Sequence, residues 1–351
     1  MAVNSTQTRT RSNARTGGTP ATPAAPARRA RPGQVAPVPS HPAPVAGSPT
    51  AGSRPKPSAS AAEVVRAYLK VQVATLRSLE PKVRADEYDS VHQMRVTTRR
   101  LRAALRSFGP VIPRQATGTA AAELKWLGGL LGEARDGEVL PGHLLASLEP
   151  VPVELLIGPV QARVRGHYAP RRASAREAVI EALDSGRYAA LLSDLDRLAH
   201  DPPLGPKAGD PARDVLPASV RKAYRQASRR MRRARQAPRG QARDVALHGA
   251  RKSARRARYA AEAARPASGK PAKKFARQMK KVQSVLGDHQ DTVIARQAAR
   301  DLGISAHLAG ENAFTYGLLH ERQLHQAERL QSRAPTVWKK ASRPRHRTWM
   351  H

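Results

Sequence analysis

The pattern of hydrophobic and polar positions is helical over nearly all of the chain after Glu63. Ala, Leu, Arg and Glu predominate there, and the alternation of β-branched residues that indicates strands is absent. Prolines and glycines divide this region into segments of helix length joined by short loops. The predicted breaks include Pro110, Pro141, Pro150 and residues 266–271, with a Pro/Gly-rich midpoint at residues 201–211. The sequence therefore predicts an all-α protein.

Two segments stand apart from the helical region. Residues 1–60 are rich in Pro, Ala, Ser, Thr and Gly, contain scattered arginines and hold no acid, so they have too little apolar content to form a core. We expect them to be a disordered basic arm, which acts either as a solubilising linker or as a weak second contact for a polyanion. Residues 333–351 form a basic tail that we expect to fray. The helical domain is expected between them, at residues 61–332.

The two halves of the helical region resemble each other in three blocks. The spacing His-x-x-Arg-x-x-x-Arg-Arg-x-Arg occupies residues 92–102 and again residues 248–258, at an offset of 156 (248 − 92). A Leu-Gly-acid block that ends in Asp follows each copy, at residues 131–136 and 286–291. A fainter match places Arg66, Lys70 and Arg77 on Arg221, Arg225 and Arg232. The sequence predicts a duplicated helical unit with pseudo-twofold symmetry, with repeat 1 at about 61–200 and repeat 2 at about 215–332.

Two stripes run along the helix predicted for residues 91–108 when it is drawn at about 100° per residue. The apolar stripe consists of Met94, Thr98, Leu101, Leu105 and Phe108. The basic stripe, which lies roughly a quarter turn away, consists of His92, Arg95, Arg99, Arg102 and Arg106. Repeat 2 continues the basic stripe with His248, Arg251, Arg255 and Arg258. Because like charges at this spacing destabilise an isolated helix and no acid relieves them, an anion-facing stripe is favoured over a solvated basic face.

Composition indicates what kind of partner such a stripe serves. The chain has 62 Lys and Arg residues against 27 Asp and Glu residues, a formal net charge of +35, which favours a polyanion: nucleic acid, polyphosphate or an anionic membrane surface. Aromatic residues make up 4% of the chain, too few for the stacking platforms of single-strand nucleic-acid binders. There is no cysteine, which excludes disulfides and thiolate metal sites. No apolar run approaches the roughly 20 residues of a membrane span, and no secretory signal is visible, so a cytoplasmic protein is expected.

The histidines and acids near the stripes admit more than one role. His92 and His248 each head a row of arginines, which favours contact with an anion over capping or packing. Metal binding is not expected, because no second ligand lies at suitable spacing on that face. Asp136 and Asp291 each close a Leu-Gly-acid block, and we expect them to orient a neighbouring arginine, with general acid/base catalysis as the less favoured alternative.

These blocks together resemble the CHAD family, the conserved histidine α-helical domain. The residues that carry the resemblance in repeat 1 are His92, Arg95, Arg99, Arg100, Arg102, Leu131, Gly132, Arg135 and Asp136. Those in repeat 2 are His248, Arg251, Lys252, Arg255, Arg256, Arg258, Tyr259, Glu262, Leu286, Gly287 and Asp291. The resemblance implies two helical bundles with a basic groove or channel between them that binds inorganic polyphosphate, in a family associated with polyphosphate granules and without established catalysis. The Glu-x-Glu-x-Lys motif of the triphosphatase domain that some relatives carry is not found.

The sequence thus predicts a polyphosphate-binding, granule-associated protein that is not an enzyme and needs no cofactor. The expected polyphosphate-binding side chains are His92, Arg95, Arg99, Arg100, Arg102, Lys125, Arg221, Arg225, His248, Arg251, Lys252, Arg255, Arg256, Arg258, Lys273, Arg277 and Lys280. A sequence-independent, nucleoid-type nucleic-acid binder is the alternative, and the basic arms could contact nucleic acid even where the core does not. A hydrolase is the third reading. It would need Glu133, Asp136, Asp288 and Asp291 to converge on a metal ion.

Overall fold

The computed structural model describes residues 59–351, which form nine α-helices and no β-strand within that range. The helices are α1 (Ala61–Arg84), α2 (Ser90–Ser107), α3 (Arg114–Leu148), α4 (Val160–Asp184), α5 (Gly186–His200), α6 (Ala212–Gln236), α7 (Gln241–Ala263), α8 (Arg265–Leu308) and α9 (Phe314–Ala341). The all-α prediction is confirmed, whereas nearly all of the arm predicted at residues 1–60 lies outside the described residues. No helix in the described range is long and apolar enough to cross a membrane.

One of the predicted breaks differs from what the structure has. Helix α3 continues through Pro141, so the prediction of a break there is wrong. Leu144 and Leu148, which follow the proline, are each 1% exposed, and their burial outweighs the hydrogen bond that the proline removes. The break predicted at residues 266–271 is confirmed, because the helical path within α8 is interrupted at Gly269, whose φ of 60° is readily adopted only by glycine.

The segment between α5 and α6, which contains the predicted midpoint, is fixed to the first half by backbone hydrogen bonds. The Gly205 amide donates to the Val111 carbonyl at 2.8 Å, and the Ala61 amide donates to the Asp210 carbonyl at 2.8 Å. A Cβ at Gly205 would lie 2.6 Å from the Pro110 carbonyl oxygen, so only glycine fits there. This linker therefore holds the start of α1, the α2–α3 loop and the start of α6 together.

One main hydrophobic core is shared by α1 to α9 and uses the predicted apolar stripe of α2. Every residue of that stripe is buried, with Met94 and Leu101 fully so, which confirms the prediction. The corresponding face of α7 is made of small residues, and Ala250, Ala254 and Ala257 are each fully buried. Because alanine keeps neighbouring backbones close, α7 packs tightly against α6 and α8 and also contacts α2.

A second, smaller core joins the far ends of two helix pairs. The end of α3 and the start of α4 contribute Leu144 and Val164, and the end of α8 and the start of α9 contribute Ala299 and Leu319. Near this core, Arg163 of α4 forms a bidentate ion pair with Glu311 in the α8–α9 loop. The two halves of the chain are therefore packed together at this end as well as in the main core.

The basic C-terminal segment does not fray as expected. Helix α9 continues to Ala341, and the Trp338 ring stacks on Tyr224 of α6 with 5.8 Å between ring centroids. Trp349 lies edge-on against Phe275 at 6.2 Å, and Met350 is 2% exposed. The basic residues of this segment predicted fraying, but its aromatic and apolar side chains anchor it on the core.

Candidate anion-binding site

Four arginines from α2 and α7 lie close together where the two helices contact each other. We call Arg95 and Arg99 of α2 with Arg251 and Arg255 of α7 the central cluster. Burial lowers the pKa of Arg255 well below its ordinary value, and Arg99, Arg251 and Arg95 lower it further. Burial is also the main cause of the lowered pKa of Arg95, followed by repulsion from Arg99. Since arginine stays protonated in proteins, the cluster holds four half-buried positive charges that repel each other.

Carboxylates compensate this cluster in part. Asp136 of α3 lies 4.0 Å from Arg95, measured from Oδ1 to Nη2, and also acts on Arg251. Burial lowers the pKa of Arg251, while Asp291 of α8 opposes the shift. Arg95 lies over Gly132, where a Cβ would come within 3.5 Å of its Nη2 atom. The Leu-Gly-acid blocks thus bring an acid from each half to the central cluster, next to arginine as the sequence predicts.

Polar atoms of the cluster are buried without an acceptor. The Nε atoms of Arg99 and Arg251 and the Nε2 atom of His92 are buried and have no hydrogen-bond partner within the described part of the chain. Buried N–H groups are rarely left unsatisfied in native proteins, and a group without a partner calls for an explanation such as an absent ion. A guanidinium group that is already half-desolvated and lacks an acceptor is suited to an oxyanion.

The two histidines that begin the repeated spacing, His92 and His248, differ in their surroundings. Burial lowers the pKa of His92 to about 4; Arg135, Arg95 and Arg99 contribute to the shift, and Asp89 opposes it. Asp89 also lies 3.4 Å from Arg135, and its φ of 61° is unusual for a residue other than glycine. His92 is therefore a neutral side chain near neutral pH, held beside three arginines.

His248, its counterpart in α7, has a hydrogen-bond partner. Its Nδ1 atom donates to the Gln290 side-chain carbonyl of α8. Burial lowers the pKa of His248, repulsion from Lys252, Arg251 and Arg255 adds to this, and the hydrogen bond opposes it. The structure thus brings the predicted site residue Lys252 next to His248.

Two of the predicted site residues are held by an acid on one flank of the central cluster. Arg258 donates to Glu262 from Nε at 2.7 Å, and Arg100 of α2 lies 3.5 Å from the same carboxylate. Burial acts to lower the pKa of Arg258, but Glu262 outweighs it and the net shift is upward. We call Arg100, Arg258 and Glu262 the Glu262 flank. Its two arginines share one carboxylate, which the spacing of basic residues alone does not reveal.

On the other flank of the central cluster, the charged groups that act most strongly on Arg256 are all positive. Arg256 of α7 has a pKa lowered by burial and then by Arg106, Arg102, Arg114 and Arg230. It donates a hydrogen bond of 2.6 Å to Gln226, a neutral partner. We call Arg102, Arg106 and Arg256 the Arg106 flank. Arg106, which belongs to the predicted stripe but not to the predicted binding residues, lies in it.

The remaining predicted residues lie on α3, α6 and α8. Lys125, Arg225, Lys273 and Arg277 are exposed, and Arg221 and Lys280 are half-buried. Their sequence signal was charge at helical spacing, which does not distinguish a ligand-facing row from a solvated one. Arg135, absent from the predicted set, was visible in the Leu-Gly-acid block as the residue before Asp136.

The site belongs to an all-helical domain in which two contacting helices present arginines and histidines at matching spacing, and comparison with known proteins gives its family. The CHAD domain profile matches residues 67–300. This chain therefore belongs to the CHAD domain family, as the sequence resemblance predicted.

Two uncharacterized proteins from two strains of Mycobacterium tuberculosis are each 33% identical over 296 residues, covering 84% of this chain. The match takes in 56% of their length, so this chain spans little more than half of those relatives.

Two solved structures share the fold. PptA from Streptomyces chartreusis matches with a TM-score of 0.67 and 20% identity, over 80% of this chain and all of the other. The CHAD domain from the plant Ricinus communis matches with a TM-score of 0.58 and 23% identity, over 82% of this chain and 96% of the other. Both likenesses concern the architecture, because the identities are low.

Proposed function

We propose that this protein binds inorganic polyphosphate at the central cluster and associates with polyphosphate granules in the cytoplasm. The observation that carries the proposal is the convergence of four half-buried guanidinium groups from α2 and α7, two of which have a buried Nε atom without an acceptor. Guanidinium forks bind phosphate oxygens in pairs, and such charge-assisted hydrogen bonds are about twice as strong as neutral ones. A polyphosphate chain supplies closely spaced oxyanions that match several arginines at once.

The proposal includes an internal duplication. In order along the chain, α1 to α4 correspond to α6 to α9, and α5 is an additional helix between the two sets. The matching spacing in α2 and α7 then gives two bundles related by a pseudo-twofold axis, with a basic groove between them that contains the central cluster. Membership of the CHAD family supports this arrangement and its polyphosphate ligand as the family expectation.

Binding without hydrolysis is part of the proposal. Asp136 lies beside Arg95 and acts on Arg251, so it serves as a counter-ion to guanidinium groups rather than as a candidate metal ligand. Phosphate release from long-chain polyphosphate in the presence of Mg²⁺ or Mn²⁺ tests this point. Release above background that disappears in Asp136→Ala would show that the protein is an enzyme.

Duplex nucleic acid is the second candidate ligand, and the exposed arginines of α6 favour it. Residues of that helix such as Arg225, Arg229 and Arg232 are exposed and could meet a broad, convex ligand. The central arginines are half-buried, which suits a thin, flexible strand better than a duplex. The two ligands therefore predict different sets of sensitive residues.

A competition experiment separates the two. Labelled polyphosphate is bound to the full chain at physiological salt and challenged with duplex DNA. A variant with Arg95, Arg99, Arg251 and Arg255 all changed to Ala is compared with a charge-matched control, in which exposed Arg165, Arg265, Arg329 and Arg333 are changed to Ala. We expect the central variant to lose at least about 100-fold in affinity, since hydrogen bonds to charged groups contribute about 1.5–3 kcal/mol each. Equal competition by DNA per charge, or equal losses in both variants, would refute the proposal.

A further inference from the structure

The helices α2 and α7 carry the same basic stripe but differ at its C-terminal end. Arg106 lies fourteen residues after His92, and Glu262 lies fourteen residues after His248 (106 − 92 and 262 − 248). The offset of 156 that relates His92 to His248 also relates Arg102 to Arg258 and Arg100 to Arg256 (258 − 102 and 256 − 100). The two flanks are thus made of equivalent positions, and the difference between them is one acid in place of one arginine.

This exchange gives the flanks opposite electrostatic characters. On the Glu262 flank, the carboxylate contacts Arg258 at 2.7 Å and Arg100 at 3.5 Å, and Arg258 also donates to Gln283 at 3.2 Å. Arg258 already has two acceptors and Arg100 forms an ion pair with the same carboxylate, so releasing both arginines for a ligand would leave a partly buried carboxylate without its partners.

On the Arg106 flank, arginine takes the place of the acid. The charged groups that act most strongly on Arg256 are Arg106, Arg102, Arg114 and Arg230, all positive, and Arg106 is also the charged group that acts on Arg102. Arg106 is exposed, while Arg102 and Arg256 are half-buried, so the group is open to solvent yet partly desolvated. Like charges collected in this way are stabilised by a bound polyanion.

The Arg106 flank also continues the central cluster along α2. Arg95, Arg99, Arg102 and Arg106 follow one another at intervals of four, three and four residues, which places them in one row on the helix. The equivalent row on α7 runs through Arg251, Arg255 and Arg258 and ends at Glu262. A strand of phosphates bound at the central cluster therefore meets further free cations along α2, and a neutralised pair along α7.

We infer that a bound polyphosphate chain leaves the central cluster in one direction only, along α2 over the Arg106 flank. The carboxylate of Glu262 makes the equivalent path along α7 unfavourable for a polyanion. This inference rests on the proposed function and adds to it a second subsite, which long polyphosphate reaches and short oligophosphates do not.

The test compares ligands of two lengths in the full chain. Tripolyphosphate probes the central cluster, and long-chain polyphosphate probes the cluster together with the flank. The variants are Arg106→Ala, and Arg106→Glu, which copies the acid of the α7 row. The matched controls are Arg165→Ala and Arg165→Glu, at an exposed position.

We expect both flank variants to lose about tenfold or more in affinity for long chains and to have a lower salt dependence, since each phosphate contact contributes a slope of about 0.7–0.9. Tripolyphosphate affinity should stay within about twofold of the wild type, because the central arginines are intact. The inference is wrong if long-chain affinity is unchanged, if both ligands weaken equally, or if the controls weaken as much as the flank variants. Failure of the wild-type protein to bind either ligand would instead refute the proposed function.

Discussion

Helices α1 and α6 carry basic residues at matching positions, yet the two helices use them differently. In α1, Arg77 forms an ion pair with Asp196 of α5, and Arg66 donates to the backbone carbonyl of His200 at the end of α5. Arg84, in the last turn of α1, pairs with Asp184 of α4 at 2.6 Å. The arginines of α1 therefore hold neighbouring helices in place.

The basic residues of α6 have different surroundings. Between Asp214 and Asp244 the sequence contains no acid, and most of the basic residues of α6 are exposed. The C-terminal segment packs on α6 instead, where Trp338 stacks on Tyr224. The comparison teaches that basic residues at matching positions form ion pairs between helices in α1, where acid-bearing helices pack beside them, and stay mostly exposed in α6.

Asp244 of α7 is a buried acid in the second half of the chain, and it gives the largest predicted effect. Its carboxylate accepts from Arg296 at 2.9 Å and from Gln331 at 3.1 Å, and it lies 3.2 Å from the buried His289. These contacts join α7, α8 and α9. We expect Asp244→Ala to lower the free energy of unfolding by about 3–5 kcal/mol, because it leaves partly buried partners without their acceptor.

Urea denaturation of the full chain measures this loss. Asp301→Ala, at an exposed acid of α8, is the control and should change the free energy of unfolding by less than about 0.5 kcal/mol. A small effect of Asp244→Ala would mean that the second half does not depend on this buried acid.

The histidines His92 of α2 and His248 of α7 lead to a prediction about pH dependence. The pKa of His92, about 4, lies below its ordinary value, so the unfolded chain takes up a proton at a higher pH than the folded chain does. The stability that this difference contributes is present above about pH 6.5 and is lost as the pH falls towards 4. A bound polyanion favours the imidazolium, so polyphosphate affinity should rise over the same interval in which stability falls.

The variant His92→Gln should reduce both the loss of stability and the rise in polyphosphate affinity as the pH falls. Unfolding midpoints and polyphosphate dissociation constants at pH 7 and pH 5 measure them in the wild type and the variant. His248→Gln provides a comparison in α7, where the imidazole already donates to Gln290. If His92→Gln keeps the full pH dependence of the wild type in both measurements, His92 does not face the anion.

The features of the fold and site that are determined within a single helix could be predicted from the sequence. The spacing of Met94, Leu101 and Phe108 was sufficient to identify the buried face of α2, and the two copies of the His-Arg stripe pointed to the central cluster. The pairing of Arg100 with Glu262 could not be predicted, because it depends on how α2 and α7 cross. The path of α3 through Pro141 likewise depends on tertiary packing, which overrides local propensity.

The smallest predicted effect concerns Arg77 of α1 and Arg232, which lies at the matching position of α6. Arg77→Ala removes the ion pair with Asp196 and should lower the free energy of unfolding by about 0.2–1 kcal/mol, the range of exposed ion pairs. Arg232→Ala removes an exposed charge from a strongly basic helix, so we expect no loss of stability and a weaker affinity for polyanions. Urea denaturation and a binding titration on both variants measure the two quantities. Equal behaviour of the two variants would mean that α5 does not set the roles of these arginines.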